Sequence, residues 1–295
     1  MKTNNEKKPV ALTITYLSKV SFASLNGSDS EADNINNIKK ITLENNEELP
    51  YVSAQAIRRA LRDQLETMGW KMSLVTPGDG KHPPSTECDP VAYIDDDLFG
   101  FMNAQTESIK RTSPLRVEAL CALSSYKGDL DFGTNLMGTK AGANPNIFET
   151  EIHSGIYRGT ILLELDRIGC GDGFKKDDKD RELTNEDKIK RISAFIDSFQ
   201  NLWSSGRQTR FLSDVSPKFI AAAIMYSKNP IFAEAVNYPI NMNLINTVKH
   251  DYNLFIKDSV FAVQKSVFGG FEGSENLADG FMKIKGWIKE LYKDE

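Results

Sequence analysis

Two runs of apolar and β-branched residues constrain this chain most: residues 10–17 (VALTITYL) and 156–168 (IYRGTILLELDRI). Near-continuous runs of this kind mark strands buried on both faces, not strands with one wet side. Helical patterns alternate with them. Ser53 is a good N-cap for residues 54–68, where Ile57, Leu61, Leu65 and Met68 form one apolar stripe that Gly69 ends. Thr184 and Asp187 resemble a capping box ahead of Ile189, Ile192, Ile196, Phe199 and Trp203. Residues 207–213 and 217–226 read as further strands, and 244–255 as a helix. Leu277, Phe281, Ile284, Ile288 and Leu291 mark the buried face of a last helix. Residues 115–123 (LRVEALCAL) fit a strand or a helix. The order strand, helix, strands, helix, strands predicts an α+β, ferredoxin-like βαββαβ core with insertions.

Three segments stand outside that pattern. Residues 26–48 are polar and read as a loop or a hairpin. Residues 70–93 carry Pro77, Gly78, Gly80, Pro83, Pro84 and Pro90 and read as an irregular insertion, followed by a short helical piece at 95–102. Residues 127–150 are punctuated by Gly128, Gly133, Gly138, Gly142 and Pro145, with few apolar residues. A loop of that length inside a domain is uncommon and is usually functional or disordered.

Composition narrows the function classes. The 295 residues are 40% hydrophobic and 26% charged, as in globular proteins. No stretch approaches the roughly 20 apolar residues of a membrane span. The start, MKTNNEKKPV, has no apolar run behind its lysines, so a cytoplasmic location is expected. Cys88, Cys121 and Cys170 are odd in number and widely spaced, which argues against a disulfide framework or a thiolate metal site. His82, His153 and His250 form no HExxH pair. P-loop, GxGxxG and GxSxG motifs are absent, residues 172–187 lack the EF-hand order, and no strand carries the RRM signature. No cofactor is expected. The net charge of −5 counts against a free-standing nucleic-acid binder. Yet the acids fall in blocks (95–97, 129 and 131, 177–182) away from most arginines, which leaves room for a basic groove.

Four constellations can carry chemistry. Gln55, Arg58 and Arg62 share one stripe of the helix after Ser53, with Arg59 on its flank, four residues before Asp63. Forked guanidinium donors suit phosphates, although an ordinary solvated face fits as well. Lys110, Arg111 and Arg116 surround Pro114 and add positive charge; a polar turn explains them equally. Glu149, Glu151 and His153, followed by Tyr157 and Arg158, would lie on one side of a strand. A metal there is disfavoured because no second ligand motif is near. Asp95, Asp96 and Asp97 invite a magnesium-nuclease reading. Successive helical residues point about 100° apart, so at most two could converge, and acids at a helix N-terminus are favourable on their own account.

Four runs in order then resemble one family: LPYVSAQAIRRALRDQL (49–65), YIDDDLFGFM (93–102), RTSPLRVEALCAL (111–123) and NIFETEIHSGIYRGTILLELDRIG (146–169). They look like the DevR-type CRISPR-associated proteins of the RAMP superfamily, the backbone subunits of type I-B Cascade complexes. The likeness runs from about residue 10 to about residue 270. It implies a single domain over 1–295: a modified ferredoxin-like (RRM-like) palm with an accessory insertion at about 70–110 and a thumb at 127–150. It implies a non-catalytic protein whose copies stack along CRISPR RNA with other Cascade subunits, while pairing with target DNA is left to the guide. The RNA contacts expected from it are Gln55, Arg58, Arg59, Arg62, Lys110, Arg111, Arg116, His153 and Arg158, with Asn135, Met137 and Lys140 in the thumb loop. The competing expectation is an endoribonuclease of related fold, with His153 as acid/base or Asp95–Asp97 as metal site. A third is a regulator acting through protein contacts.

Overall fold

The computed structural model describes residues 7–27, 35–78, 83–103, 109–142, 144–173, 182–203, 210–212 and 214–293. The chain enters through a long strand, β1 (Ala11–Ala23), and passes β2 (Ile35–Asn36), β3 (Lys40–Thr42) and β4 (Glu48–Val52) into helix α1 (Ala54–Thr67). A six-residue helix, α2 (Ile94–Phe99), precedes four short strands: β5 (Phe101–Asn103), β6 (Ile109–Arg111), β7 (Leu115–Val117) and β8 (Leu120–Ala122). Then come β9 (Leu130–Asn135), β10 (Asn146–Glu151), the long β11 (His153–Glu164) and helix α3 (Asn185–Gln200). The last part runs β12 (Phe219–Met225), α4 (Met242–Asp251), β13 (Ile256–Val263), α5 (Lys265–Phe268), β14 (Glu275–Asn276) and α6 (Leu277–Leu291).

The fold is mixed α+β. Among the described residues, nine strands make the main sheet, in the order β14-β13-β12-β1-β11-β8-β4-β3, with β7 also on β11. At its centre β12, β1, β11 and β8 are each antiparallel to their neighbours. Helix α1 lies in sequence between β1 and β8, and α3 between β11 and β12.

Both faces of the centre are covered, as the apolar runs require. On one face Leu12, Ile14, Tyr16, Ile161, Leu163 and Ile220 pack with Ile57 and Leu61 of α1, Phe195 and Phe199 of α3, and Phe281 and Ile284 of α6. On the other, Leu17, Phe219, Ala221, Ala223 and Phe261 pack with Phe232, Val236 and Ile245. That second cover reaches only part of the sheet. Toward β8 and β4 the second face stays half-open.

The structure revises several local expectations. Residues 127–150 are an ordered hairpin, not a loop: β9 and β10 pair from Asn135–Asn146 to Leu130–Glu151, and β2 joins β10 to make a separate three-stranded sheet. Gly133 is fixed by its cross-strand partner: an added Cβ there would lie 2.5 Å from the ring of Phe148, whereas Gly128 and Gly142 have open space around them and sit at positive φ. Residues 115–123 are two short strands interrupted at Glu118. Trp203 is 47% exposed because α3 ends at Gln200, so it is not part of that helix's buried face. Residues 210–212 are not strand; the rest of the 207–213 expectation, and His82, lie outside the described residues. β13 was not legible as a strand.

Tyr16 sits directly opposite Gly159, is fully buried and meets Phe199 edge-on at 4.9 Å. A Cβ on Gly159 would stand 2.8 Å from the Tyr16 ring. Gly159→Ala is therefore expected to destabilise the fold by about 1–3 kcal/mol through overpacking. Urea unfolding followed by circular dichroism measures it; an unchanged midpoint would mean that the ring has room to move.

Candidate nucleic-acid interface

Helix α1 owes its start to Ser53, whose hydroxyl accepts from Ala56 N–H at 3.3 Å, and its packing to the Ile57, Leu61 and Leu65 stripe. The polar stripe beside it divides into two kinds of residue. Gln55 and Arg59 are exposed, and Arg59 pairs with Asp63 at 2.8 Å. Arg58 turns inward. It donates to Ser113 Oγ at 3.0 Å, Leu115 O at 3.2 Å and Phe99 O at 2.6 Å, bolting α1 to α2 and β7. Arg62 lies 4.1 Å over the Phe99 ring. Burial, helped by the nearby Arg58 charge, lowers its pKa to about 10. What α1 offers to an outside anion is thus Gln55, Arg59 and the part-exposed edge of Arg62.

The Pro114 cations part company. Lys110 is exposed on β6. Arg111 is 2% exposed and lies inside the protein. It pairs with Asp97 at 2.6 Å and donates to the carbonyls of Asp97, Cys170, Asp172 and Arg167. Arg116 is half-exposed and holds Glu164 at 2.5 Å. Burial pushes the Glu164 carboxyl up, but hydrogen bonds from Arg116, Lys228 and Arg167 outweigh it and hold the group below its ordinary range.

The three consecutive acids diverge, as their helical spacing demands. Asp95 Oδ1 accepts from Ser73 N–H at 3.0 Å and Asp96 Oδ2 from Asp89 N–H at 2.9 Å, so both hold the 70–93 insertion. Asp97, fully buried, receives Arg111, Arg191 at 2.8 Å and the N–H of Gly169 at 3.1 Å. Among the described residues, no group of three His, Cys, Asp or Glu is arranged for a metal.

The Glu149–Glu151–His153 constellation also separates, because the strand breaks at Ile152 between β10 and β11. Glu151 accepts from Ile38 N–H and Lys40 Nζ, both at 2.8 Å. His153 is 5% exposed, with Nδ1 at 2.7 Å from the Tyr157 hydroxyl, and burial lowers its pKa. Register sets His153 and Arg158 on opposite faces of the sheet: Tyr157 packs with the α1 core, whereas Arg158 faces the same way as Leu17. The arginines of α1 and Arg158 therefore cannot line one groove.

The hairpin projects apolar side chains into solvent. Phe132 is 62% exposed, Leu136 59% and Met137 81%. Asn135 caps the tip by accepting from Met137 N–H at 3.0 Å, and Lys140 is exposed beside it. At the root, Lys40 holds Glu151. Arg210 ion-pairs with Asp131, lies 4.9 Å over Phe148 and 5.1 Å over Phe211, and donates to Thr150 Oγ1 at 3.3 Å. Sequence reasoning missed Arg210. Its partners lie 60 and 79 positions away, and nothing local marks it.

Comparison with known proteins adds independent findings. The family described as "CRISPR-associated negative auto-regulator DevR/Csa2" matches residues 14–242. A curated relative, "CRISPR-associated protein Cas7/Cst2/DevR" from Myxococcus xanthus (strain DK1622), is 30% identical over 157 residues. That is 44% of this chain and 50% of the relative, so the match spans about half the length of each. Two solved chains share the fold. One, from a "CRISPR RNA-guided surveillance complex, pre-nicking", has a TM-score of 0.65 at 12% identity, covering 95% of this chain and 100% of its own. The other, from a "CRISPR RNA-guided surveillance complex", has a TM-score of 0.61 at 13% identity, covering 94% and 98%. No helix among the described residues is long and apolar enough to cross a membrane.

Two outcomes follow from the buried charges. Asp97→Ala leaves two guanidiniums inside without their carboxylate and is expected to cost about 3–5 kcal/mol in urea unfolding; a loss under about 1 kcal/mol would show that the carbonyls suffice. Burial holds the His153 pKa in the folded state below the ordinary value near 6.5 that the unfolded chain regains, so below that pH the unfolded chain binds the proton more readily. Its contribution is thus complete well above pH 6.5 and is lost as pH falls below that value. His153→Gln should flatten that part of the stability–pH curve; an unchanged slope would locate the titration elsewhere.

Proposed function

The chain belongs to the DevR/Csa2 family of CRISPR-associated proteins, and from that premise we propose that it is a non-catalytic backbone subunit whose copies lie along CRISPR RNA in a Cascade complex of type I-B. The observation that carries the reading is the hairpin. A protein with no use for them would not hold Phe132, Leu136 and Met137 in water on an ordered, ion-paired stem, since exposed apolar groups invite association. The strand order β12-β1-β11-β8, with α1 and α3 as the crossing helices, reads as a ferredoxin-like palm. The hairpin between β8 and β11 is its thumb, and residues 70–110 its accessory region.

The guide would run by the exposed side of α1, where Gln55, Arg59 and the edge of Arg62 offer donors, with Lys110 adding charge. Phosphate gripping of this kind is sequence-tolerant. Arg58, Arg111 and His153 act inside the fold instead. Cascade subunits and further copies of the chain are the protein partners, and target DNA pairs with the guide rather than being read by the protein. The endoribonuclease alternative loses its proposed groups: His153 is buried against Tyr157, and Asp95, Asp96 and Asp97 hold backbone and arginines.

The test is the triple variant Phe132→Ser, Leu136→Ser, Met137→Ser, mixed with guide RNA and the partner subunits. Size-exclusion chromatography is expected to show no ordered assembly, while the melting curve is unchanged. Affinity for RNA should persist and fall steeply with rising salt, because bound phosphates release counterions. Normal assembly by the variant, or salt-independent affinity, would contradict the proposal.

A further inference from the structure

The half-open part of the second sheet face carries cations that enter no ion pair among the described residues. Register places Leu17, Arg158, Cys121 and Tyr51 in one row across β1, β11, β8 and β4, all on the side away from α1. Arg158 and Tyr51 stand two strand spacings apart, about 10 Å. Arg158 donates to Val236 O at 3.3 Å, at the rim of the segment that covers the rest of this face. Among the described residues it has no ion pair. Nor has Lys19, two positions beyond Leu17 on β1 and exposed, or Lys39, whose carbonyl accepts from Tyr51 N–H at the far end of the row. Acids on this side include Glu164, already shared by Arg116, Arg167 and Lys228, and the exposed Glu118, whose charge acts on Cys121 against that of Arg158 and whose N–H bonds to Thr160 O. A chain of net charge −5 thus gathers, around a part-exposed tyrosine on the face opposite α1, cations that have no ion pair among the described residues.

Cations that track a backbone beside an aromatic face are what a single-stranded polynucleotide needs: phosphates on the former, a base stacked on the latter. A duplex is too wide for one such row. We infer that this notch, with Arg158, Lys19 and Tyr51, is a second site for a single-stranded polynucleotide, separate from the α1 side. The site stands on the sheet face alone and does not depend on the hairpin's role. In an RNA-guided complex its natural occupant is a DNA strand displaced from its complement, which such complexes must hold.

Cys121 lies in the row between Arg158 and Tyr51 and serves as a probe. The full chain is treated with N-ethylmaleimide with and without a single-stranded DNA oligonucleotide, and each cysteine is followed by mass spectrometry. DNA is expected to slow Cys121 alkylation about fivefold or more and to leave Cys88 and Cys170 unchanged. By fluorescence anisotropy, Arg158→Ala and Tyr51→Ala should each weaken DNA binding about fivefold or more, as loss of one stacked base does, with Arg158→Lys largely rescuing. Both variants should still assemble with guide RNA. Unprotected Cys121, or equal protection by an acidic peptide, would overturn the assignment. So would loss of guide-RNA assembly in a folded Arg158→Ala protein, since the face would then be the guide's own. The hairpin variant should bind the oligonucleotide normally, so failure of the backbone reading and failure of this one are told apart.

Discussion

One buried carboxylate organises the half of the molecule around the insertions. Asp97 holds Arg111 and Arg191 from opposite sides and accepts from the N–H of Gly169, joining α2, β6, α3 and the turn after β11. Two guanidiniums on one carboxylate leave an excess positive charge in the interior. The backbone relieves it: Arg111 donates to four carbonyls, and Arg191 to those of Pro90 and Val91. Such a network is strong only while every member is present, because each orphaned donor bears its full desolvation cost. The arginines most conspicuous beside the family-like runs are thus tied to the fold, so the nucleic-acid surface proposed above draws on others.

The two faces of the sheet differ in how they are covered. The helix face is closed by α1, α3 and α6 and presents only the outer flank of α1. The opposite face is closed near β12 by residues 231–236 and α4 but open toward β8 and β4. A sheet eight strands across among the described residues, with a cover shorter than itself, leaves such a notch, lined by Arg158 of β11 and Cys121 of β8. The net negative charge is consistent with this arrangement. Asp97 balances one of the two interior arginines it holds, while Arg59, Lys19 and Lys110 are exposed.

What was legible in the sequence was local. Apolar runs marked β1, β11 and β12, helical periodicity with a cap marked α1 and α3, and periodicity alone marked α6, because these signals lie within one element. Pairing across the chain was not legible. Asp97 meets partners 14 and 94 positions away, and the sequence, which favoured plain helix N-terminal charge over a metal site for the three acids, showed none of their separate partners. The glycines of 127–150 suggested a slack loop, yet Gly133 is required by Phe148 across the hairpin. IKDSVFAV became β13 since it found an edge of the sheet at β12, a tertiary cause with weak local trace. In the candidate site, Gln55 and Arg59 lie exposed on α1, with Arg59 paired to Asp63. Arg58 and Arg111 share the same local look and point inward, which only packing decides.

The central claim is that this protein is a sleeve for guide RNA. Native purification of the chain from its own cells, followed by sequencing of the nucleic acid that travels with it, tests that claim most directly. The account predicts RNA of uniform length, each molecule joining a common repeat to a variable spacer, released only by high salt. A preparation free of RNA, or carrying RNA without that repeat, would contradict it.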